Sequence, residues 1–183
     1  SPDTNFNGSD SFIYKAFDDT NYSLPIEVII SINPINDIPL ATFSNFTINE
    51  DTNYSNHLTA SDIDDSNFTF ILESNTNNGL LQFDANGSFT YNPNTNYNGY
   101  DSFIYKVFDD TNYSTSQEVN ITINPINDIP IPDETGFITS EDTNHTYTFS
   151  ASDVEGDTLS FEIILNPSKG TLSSIENNTS IYT

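Results

Sequence analysis

The sequence predicts an all-β protein of tandem antiparallel seven-stranded Greek-key β-sandwiches of about 91 residues each, one complete and two partial. The octapeptide INPINDIP begins at Ile32 and recurs letter for letter at Ile123, 91 positions later. The 24 Phe and Tyr residues mostly alternate with polar residues, as is typical of strands with one buried face. Helical periodicity rich in Leu or Ala is missing, and the abundant Asn, Ser and Thr favour turns.

The repeat extends well beyond the octapeptide. The segment TNFNGSDSFIYKAFDDTNYS, from Thr4, matches TNYNGYDSFIYKVFDDTNYS, from Thr95, at 17 of 20 positions. NEDTN at Asn49 corresponds to SEDTN at Ser140, and every such match obeys the 91-residue offset without a gap. One period is about the size of a small β-sandwich domain.

The repeat predicts three domains, with junctions at Pro-Ile-Asn-Asp-Ile-Pro. Residues 1–37 are the C-terminal part of a repeat, residues 38–128 are a complete repeat, and residues 129–183 are the N-terminal part of another. Two explanations of the partial repeats stay open. Either the chain is a section of a longer array, or half-domains complete one another between chains by strand addition, because an isolated half-sandwich exposes its core and an open sheet edge.

Seven short strands are expected in the complete repeat, separated by turns rich in Asn, Asp, Gly and Pro. Their predicted ranges are 42–48, 54–60, 67–73, 80–83, 88–91, 102–108 and 117–124. The turn DANG is a strong hairpin signal, because Asn-Gly tolerates the positive φ of a type I′ turn.

The strand DSFIYKVF predicts which side chains face the core. Alternation places Phe103, Tyr105 and Val107 on one face, which we expect to be buried, and Ile104 and Phe108 on the other, exposed face. The earlier copy repeats this pattern. The outward apolar residues are then either ordinary surface hydrophobes or lateral contacts between rods.

Charge excludes several classes of function. The chain has 27 acidic residues, three Lys and no Arg, for a net charge of −24. It therefore repels nucleic acid and anionic membrane surfaces. Cys is absent, which rules out disulfides and thiolate metal sites, and a small β-domain without disulfides often uses a bound metal instead. No apolar run is long enough to span a membrane.

Acidic clusters at turns recur in phase and suggest sites for calcium, which takes six to eight oxygen ligands. The clusters are the loops SDIDDS (Asp62, Asp64, Asp65) and SDVEGD (Asp153, Glu155, Asp157), the segments NED (Glu50, Asp51) and SED (Glu141, Asp142), and the junction pairs Asn36–Asp37 and Asn127–Asp128. The FDD segments, which include Asp110, are expected close to one of them. The alternative is a solvated acidic surface, or Asp residues that cap turns.

The motifs NEDTN, ASDIDDSNFTF, NGLLQFDANGSFTYNPNTNYNGYDSFIYKVFDD and VNITINPINDIP resemble the cadherin-like tandem repeats of giant bacterial and archaeal surface proteins and adhesins. The resemblance implies a calcium-rigidified β-sandwich array, extracellular or on the cell surface. The ligand sets that it implies are Asn36, Asp37, Asp62, Asp64 and Glu50, then Asn127, Asp128, Asp153, Glu155 and Glu141. The family loop usually has Asp-x-Asp-Gly-Asp, whereas the middle repeat has Asp65 and Ser66 in place of the last two residues.

These observations predict a structural segment of an extracellular calcium-stiffened rod or fibre that supports adhesion or cell-surface assembly. The expected partners are neighbouring repeats of the same or an identical chain, with lateral rod contacts or surface glycans as further partners, and neither nucleic acid nor membrane insertion. The alternatives are a filament subunit that polymerises by strand exchange and a carbohydrate-binding module. An enzyme is not expected, because His57 and His145 are out of phase and no nucleophile motif or phosphate loop is present.

Asn-x-Ser/Thr sequons are frequent, and three pairs of them obey the repeat. These in-phase candidates for glycosylation, all in predicted turns, are Asn21 and Asn112, Asn53 and Asn144, and Asn86 and Asn177.

Overall fold

The computed structural model describes residues 1–133 and 136–183. The regular secondary structure in that part of the chain consists of β-strands. The chain divides into two compact units, Ser1–Asn124 and Pro125–Thr183. Within the described residues, no helix is long and apolar enough to cross a membrane. The prediction of an all-β protein is confirmed.

The first unit contains a hairpin followed by a complete domain. Its strands are β1 (Gly8–Tyr14), β2 (Ile26–Ile32), β3 (Leu40–Thr42), β4 (Phe46–Asn49), β5 (Tyr54–His57), β6 (Thr59–Ser61), β7 (Thr69–Ser74), β8 (Gly79–Phe83), β9 (Ser88–Pro93), β10 (Gly99–Phe108) and β11 (Gln117–Asn124). The strands of the second unit are β12 (Ile131–Pro132), β13 (His145–Thr148), β14 (Ala151–Ser152) and β15 (Thr179–Tyr182).

Strands β3 to β11 form a sandwich, which we call the middle domain. One sheet has the order β4-β11-β10-β7, and the opposite layer contains the sheet β5-β9-β8 and the pair β3-β6. Side chains from both layers share one core cluster. The sandwich is as predicted, but not every strand pair is antiparallel, because β4 and β11 run parallel.

Two predicted strands, 42–48 and 54–60, are each divided in the structure. The chain pairs as β3 with β6, leaves that pair after Thr42, and then pairs as β4 with β11 in the other layer. Between β5 and β6, Leu58 is fully buried, and its N–H donates to the carbonyl of Gly87 at 2.8 Å. Each predicted strand is divided because its two parts pair with different partner strands. The alternation of side chains along the sequence does not reveal such a change of partner.

Strand β10 presents the predicted face to the core: Phe103, Tyr105 and Val107 are each 0% exposed. Its outer face is less exposed than expected. Ile104 and Phe108 are half-buried, and the ring of Phe108 stacks on Tyr113 with centroids 4.6 Å apart. The neighbouring turn and strand therefore cover apolar residues that alternation alone predicted to face solvent.

A buried carboxylate fastens the β7–β8 connection to the core. Asp101 is 7% exposed, and its oxygens accept the N–H groups of Asn77 and Asn78, each at 2.9 Å. The hydroxyl of Tyr91 donates to Oδ2 of Asp101 at 2.8 Å. Both oxygens of this buried carboxyl group therefore have hydrogen-bond donors, which offset the cost of burying them.

Candidate metal centre

The first junction pair is bonded to two acidic turns of the middle domain. The backbone N–H of Asp37 donates to Oδ2 of Asp64 at 2.9 Å. The side-chain amide of Asn36 donates to Oδ2 of Asp109 at 3.0 Å. The junction therefore brings together the turn after β6 and the turn after β10, which are far apart in sequence.

The turn after β6, residues 61–66, is organised by Asp62, and we call it the Asp62 loop. Oδ1 of Asp62 accepts the N–H groups of Asp64, at 2.7 Å, and of Asp65, at 3.0 Å. Such a side-chain-to-backbone turn fixes the direction of the carboxylate. The other oxygen, Oδ2, is buried and has no hydrogen-bond partner in the described structure. A buried carboxylate oxygen without a donor is costly, so this atom is a candidate ligand for a cation.

The turn after β10, residues 109–112, is organised in the same way by Asp109, which is 3% exposed. Its Oδ1 accepts the N–H groups of Thr111 at 2.7 Å and Asn112 at 2.6 Å. The bond from Asn112 has the largest effect on the carboxyl, and with the bonds from Asn36 and Thr111 it lowers the pKa of Asp109. Asp109 is therefore anionic at neutral pH, and the adjacent Asp110 has a positive φ of 75°.

Negative charge accumulates where these two turns meet. Partial burial, together with repulsion from four neighbouring carboxylates, raises the pKa of Asp65. Those neighbours are Asp109, Asp62, Asp64 and Asp110. Among the residues that the structure describes, however, no three or more Asp, Glu or His side chains are arranged so that they could hold an ion.

The second unit repeats the junction geometry. The N–H of Asp128 donates to Oε2 of Glu155 at 3.1 Å, as that of Asp37 does to Asp64. In the loop after β14, Oδ1 of Asp153 accepts the N–H of Asp157 at 3.0 Å. Gly156, with a φ of 75°, lies within this turn, where the bond to Asp153 comes from the fourth residue after it. The bonds to Asp62 come from the second and third residues after it.

Glu50 and Asp51 lie at the opposite end of the middle domain. The N–H of Glu50 donates to the carbonyl of Asn124 at 2.9 Å, and Oδ1 of Asp51 accepts the N–H of Asn96 at 3.1 Å. These contacts are beside the start of β10, whereas Asp109 follows its end, and ten strand residues span about 33 Å. The structure therefore does not bring Glu50 together with Asn36, as the resemblance had implied.

In the second unit, the corresponding residues Glu141 and Asp142 form an exposed turn. The hydroxyl of Thr143 donates to the carbonyl of Glu141 at 3.3 Å, and Asp142 has a φ of 59°. Asp51, its counterpart, has a φ of 55°, so the conformation of the turn is repeated along with its sequence.

The model of the bacterial cadherin-like domain family matches residues 36–125. The middle domain therefore has a cadherin-like fold. The match spans the middle domain and includes the junction pair, the Asp62 loop and Asp109.

Several solved structures also match most of the chain at low sequence identity. Human CDH23 EC21-23 shares 15% identity at a TM-score of 0.53, over 94% of this chain and 63% of that one. The human desmocollin-1 ectodomain shares 16% identity at a TM-score of 0.42, over 94% and 39%. An endo-fucoidan hydrolase of glycoside hydrolase family 107 shares 16% identity at a TM-score of 0.40, over 97% and 29%. The chain thus spans less than two thirds of each of these structures. No curated protein sequence matches the chain.

Asp109 of the cadherin-like domain takes part in the junction but was not among the predicted ligands, although its FDD segment was expected close to one of the acidic clusters, and Asp65 was predicted only as a member of the Asp62 cluster. Asp109 holds Asn36, and Asp65 lies among the other acidic groups. The segment FDDTN carried a usable signal, since an Asp followed by Thr and Asn at the second and third positions favours a turn that the Asp side chain caps.

The predicted sequon positions lie in turns or loops, as far as the described residues show. Asn21, Asn53, Asn86, Asn144 and Asn177 are exposed, and Asn112 is half-buried. Asn86 is at the tip of the β8–β9 hairpin, where its Oδ1 accepts the N–H of Ser88 at 2.9 Å.

Proposed function

We propose that this chain is a structural segment of an extracellular repeat rod or fibre that supports adhesion or cell-surface assembly, and that calcium at the Asn36–Asp37 junction stiffens it. The match to a bacterial cadherin-like domain supports a role outside the cell and in adhesion. The proposed role is mechanical rather than catalytic.

The observation that carries the calcium proposal is the free Oδ2 of Asp62. This oxygen is buried beside the junction, its partner Oδ1 is already occupied, and no described donor reaches it. A cation could bind this oxygen. The neighbouring side chains that could also coordinate the cation are carboxylates, whose oxygens calcium prefers as ligands. The chemistry of these groups therefore fits calcium, and because no three of the described carboxylates are arranged around one point, binding would have to draw the two turns together.

The charge of the cluster supports the same proposal. Burial, and after it repulsion from the carboxylates of the two turns, raises the pKa of Asp65. Bound calcium would supply positive charge that offsets this repulsion. The residues that would hold it are Asp62, Asp64, Asp65, Asp109 and Asp110, with Asp37 fixing the loop through its backbone bond.

A cation at this site would add to the existing restrictions on the conformation of the junction. Pro34 and Pro39 flank it and fix their own φ angles, and Pro39 is buried. Asn36 and Asp37 are bonded to two separate turns, so a cation that draws those turns together would also immobilise the junction.

Calorimetry and calcium titration of the Asp62→Asn variant test the proposal. Calcium should raise the melting temperature of the unmodified chain, and the variant should bind calcium about tenfold or more weakly, because an amide replaces an anionic ligand. In EDTA the variant should be as stable as the unmodified chain or more stable, since it removes repulsion. Glu118→Gln is the matched control, because Glu118 is exposed on β11, and it should leave calcium affinity unchanged. Equal melting temperatures in calcium and in EDTA would overturn the proposal.

A further inference from the structure

A groove opens between strand β5 and the segment that joins β3 to β4, and we call it the β4–β5 groove. Residues 42–46 form one wall, and the segment 54–59 contributes the other. The groove exists because the chain leaves its pairing with β6 after Thr42 and joins the opposite layer at β4, whereas β5 pairs with β9 alone among the described strands. Its volume of about 490 Å³ is typical of sites for small ligands, and all its lining residues belong to the middle domain.

Aromatic rings form the floor of the groove. The rings of Phe46 and Tyr54 stack with their centroids 4.1 Å apart and their planes at 14°, and both side chains are half-buried. Phe43 packs edge-on against Phe46, with centroids 6.5 Å apart, and against Phe89 of the core, with centroids 5.6 Å apart. The core therefore holds the stacked pair in place, while part of each ring stays accessible from the groove.

Hydroxyl, amide and imidazole groups surround the rings. The hydroxyl oxygen of Tyr54 accepts a hydrogen bond from Nδ2 of Asn56 at 2.6 Å, which leaves the hydroxyl proton for another acceptor. The hydroxyls of Thr42 and Thr59 lie 3.1 Å apart. His57 is exposed, and its imidazole is a further hydrogen-bonding group. The groove thus offers several polar groups beside an apolar floor.

The described residues that line the groove include no Asp, Glu, Lys or Arg. This matters because the chain has 27 acidic residues and a net charge of −24. A cation finds no carboxylate in the lining, and an anion finds no Lys there to offset repulsion from the rest of the chain. A pyranose ring suits such a groove, since its C–H groups pack on aromatic faces and its hydroxyls bond amides and hydroxyls.

An added peptide strand fits the groove less well than a sugar, although β5 is at the edge of its sheet. The N–H of Leu58 donates to the carbonyl of Gly87, which precedes β9, so by alternation the N–H of His57 faces the groove. That N–H donates to Oδ1 of Asn56 at 2.8 Å. A strand that paired with β5 would have to displace this bond, which protects the edge against strand addition.

The ring pair recurs in the second unit. Phe137 and His145, which correspond to Phe46 and Tyr54 at the 91-residue offset, stack with centroids 4.2 Å apart and planes at 8°. Ser150, the counterpart of Thr59, keeps the hydroxyl. The stack persists although His replaces Tyr, so the paired rings belong to the repeat rather than to one copy of its sequence.

We propose that the β4–β5 groove binds a neutral oligosaccharide, with a pyranose ring on the Phe46–Tyr54 stack and its hydroxyls bonded to Tyr54 and His57. This binding does not depend on calcium, because the lining contains none of the acidic residues proposed to hold the ion. Each repeat that retains the groove would add one weak contact with a polysaccharide, so that an array of repeats binds it through multivalency.

NMR titration of the chain with neutral hexasaccharides tests this binding. Cellohexaose, laminarihexaose, mannohexaose and xylohexaose are the probes, and a galacturonate hexamer is the anionic control. The titrations are done in EDTA, so that calcium cannot bridge the anionic sugar to carboxylates of the chain.

At least one neutral probe should shift the amide resonances of residues 42–46 and 54–59 saturably at up to about 10 mM, because an open groove makes few contacts with each sugar. The galacturonate hexamer should bind about tenfold more weakly or not at all, since the chain is anionic. Absence of binding by every neutral probe, or equal binding of the anionic hexamer, would overturn the proposal.

Variants of two tyrosines locate the site. Tyr54→Ala removes a ring and a hydroxyl from the groove and should weaken binding about tenfold or more. Tyr100→Ala removes a 78% exposed ring from β10, outside the groove, and should change affinity by less than about twofold. Tyr54→Phe keeps the stack and should weaken binding about fivefold or less, through the loss of one hydrogen bond.

His57→Ala keeps the test decisive if Tyr54→Ala does not fold, because His57 is exposed and lies outside the stacked pair. It should weaken binding about threefold and change the melting temperature little. Equal affinities of the His57→Ala and Tyr100→Ala chains would overturn the proposal. Shifts of the groove resonances with protein concentration alone would also overturn it, since a second copy would then occupy the groove.

Discussion

The backbone N–H of Asp37 donates a hydrogen bond of 2.9 Å to the carboxylate of Asp64. The same bond recurs 91 residues later between Asp128 and Glu155, at 3.1 Å. The acceptor changes from Asp to Glu, yet the oxygen still reaches the junction. This bond therefore belongs to the repeat rather than to one copy of its sequence.

Removing the carboxylate of Asp64, which accepts the hydrogen bond from Asp37, should lower the free energy of unfolding. Asp64→Ala leaves the N–H of Asp37 without this partner and should cost about 1 kcal/mol in calcium-free buffer. Asp65→Ala is the control, because it removes a repelling charge and should be neutral or stabilising. Urea unfolding of both variants makes the measurement, and equal losses would contradict the expectation.

Two buried tyrosines should respond in opposite directions to the loss of their hydroxyl groups. Tyr91 donates to Asp101, so Tyr91→Phe should lower the free energy of unfolding by about 1–3 kcal/mol. The buried hydroxyl of Tyr105 has no hydrogen-bond partner in the described structure, so Tyr105→Phe should be neutral or stabilising. Chemical denaturation decides, and a larger loss for Tyr105→Phe than for Tyr91→Phe would refute this reading.

The middle domain should lose stability at alkaline pH. Burial raises the pKa of Tyr105 from its ordinary value of 10.0 to about 12. A raised folded pKa means that the contribution to stability is complete below 10 and is lost as pH rises through about 12. The melting temperature of Tyr105→Phe should therefore fall less steeply over this range, and parallel curves would argue against the assignment.

Glu73 should stabilise the middle domain at neutral pH, and this stabilisation should be lost in acid. Hydrogen bonds from Lys106 and then from Ser116 lower the pKa of Glu73 below its ordinary value of 4.5. The resulting stability is present above 4.5 and is lost as pH falls through the lowered pKa. Glu73→Gln should thus lower the melting temperature at neutral pH, and the difference should vanish in strong acid. Glu118→Gln, at an exposed position of β11, should show no such pH-dependent difference.

The stability of the middle domain should depend strongly on the side chain of Leu58, which lies between β5 and β6. Leu58 is 0% exposed there, so Leu58→Ala should cost about 2–5 kcal/mol through lost burial and a residual cavity. Leu80 is 60% exposed, and Leu80→Ala should cost much less. Urea unfolding compares the two, and similar losses would mean that Leu58 is not a core residue.

Sequence reasoning identified the repeat, the strands and the inner face of β10, because these depend on local alternation and on turn residues. Phe103 and Tyr105 face the core as their spacing predicts. The sequence did not predict that Asp101 would accept hydrogen bonds from both Asn77 and Tyr91. These three residues come from separate segments of the chain, so no local pattern links them.

The amino-acid sequence by itself determined that the protein is a β-repeat with acidic turns at a fixed period, because side-chain alternation and turn chemistry act over a few neighbouring residues. Only the tertiary structure decided which acidic turns meet. Asp109 joins Asn36 while Glu50 lies beside Asn124 at the far end of β10. Strand pairing sets those distances, and the pairing depends on contacts between residues that are far apart in the chain.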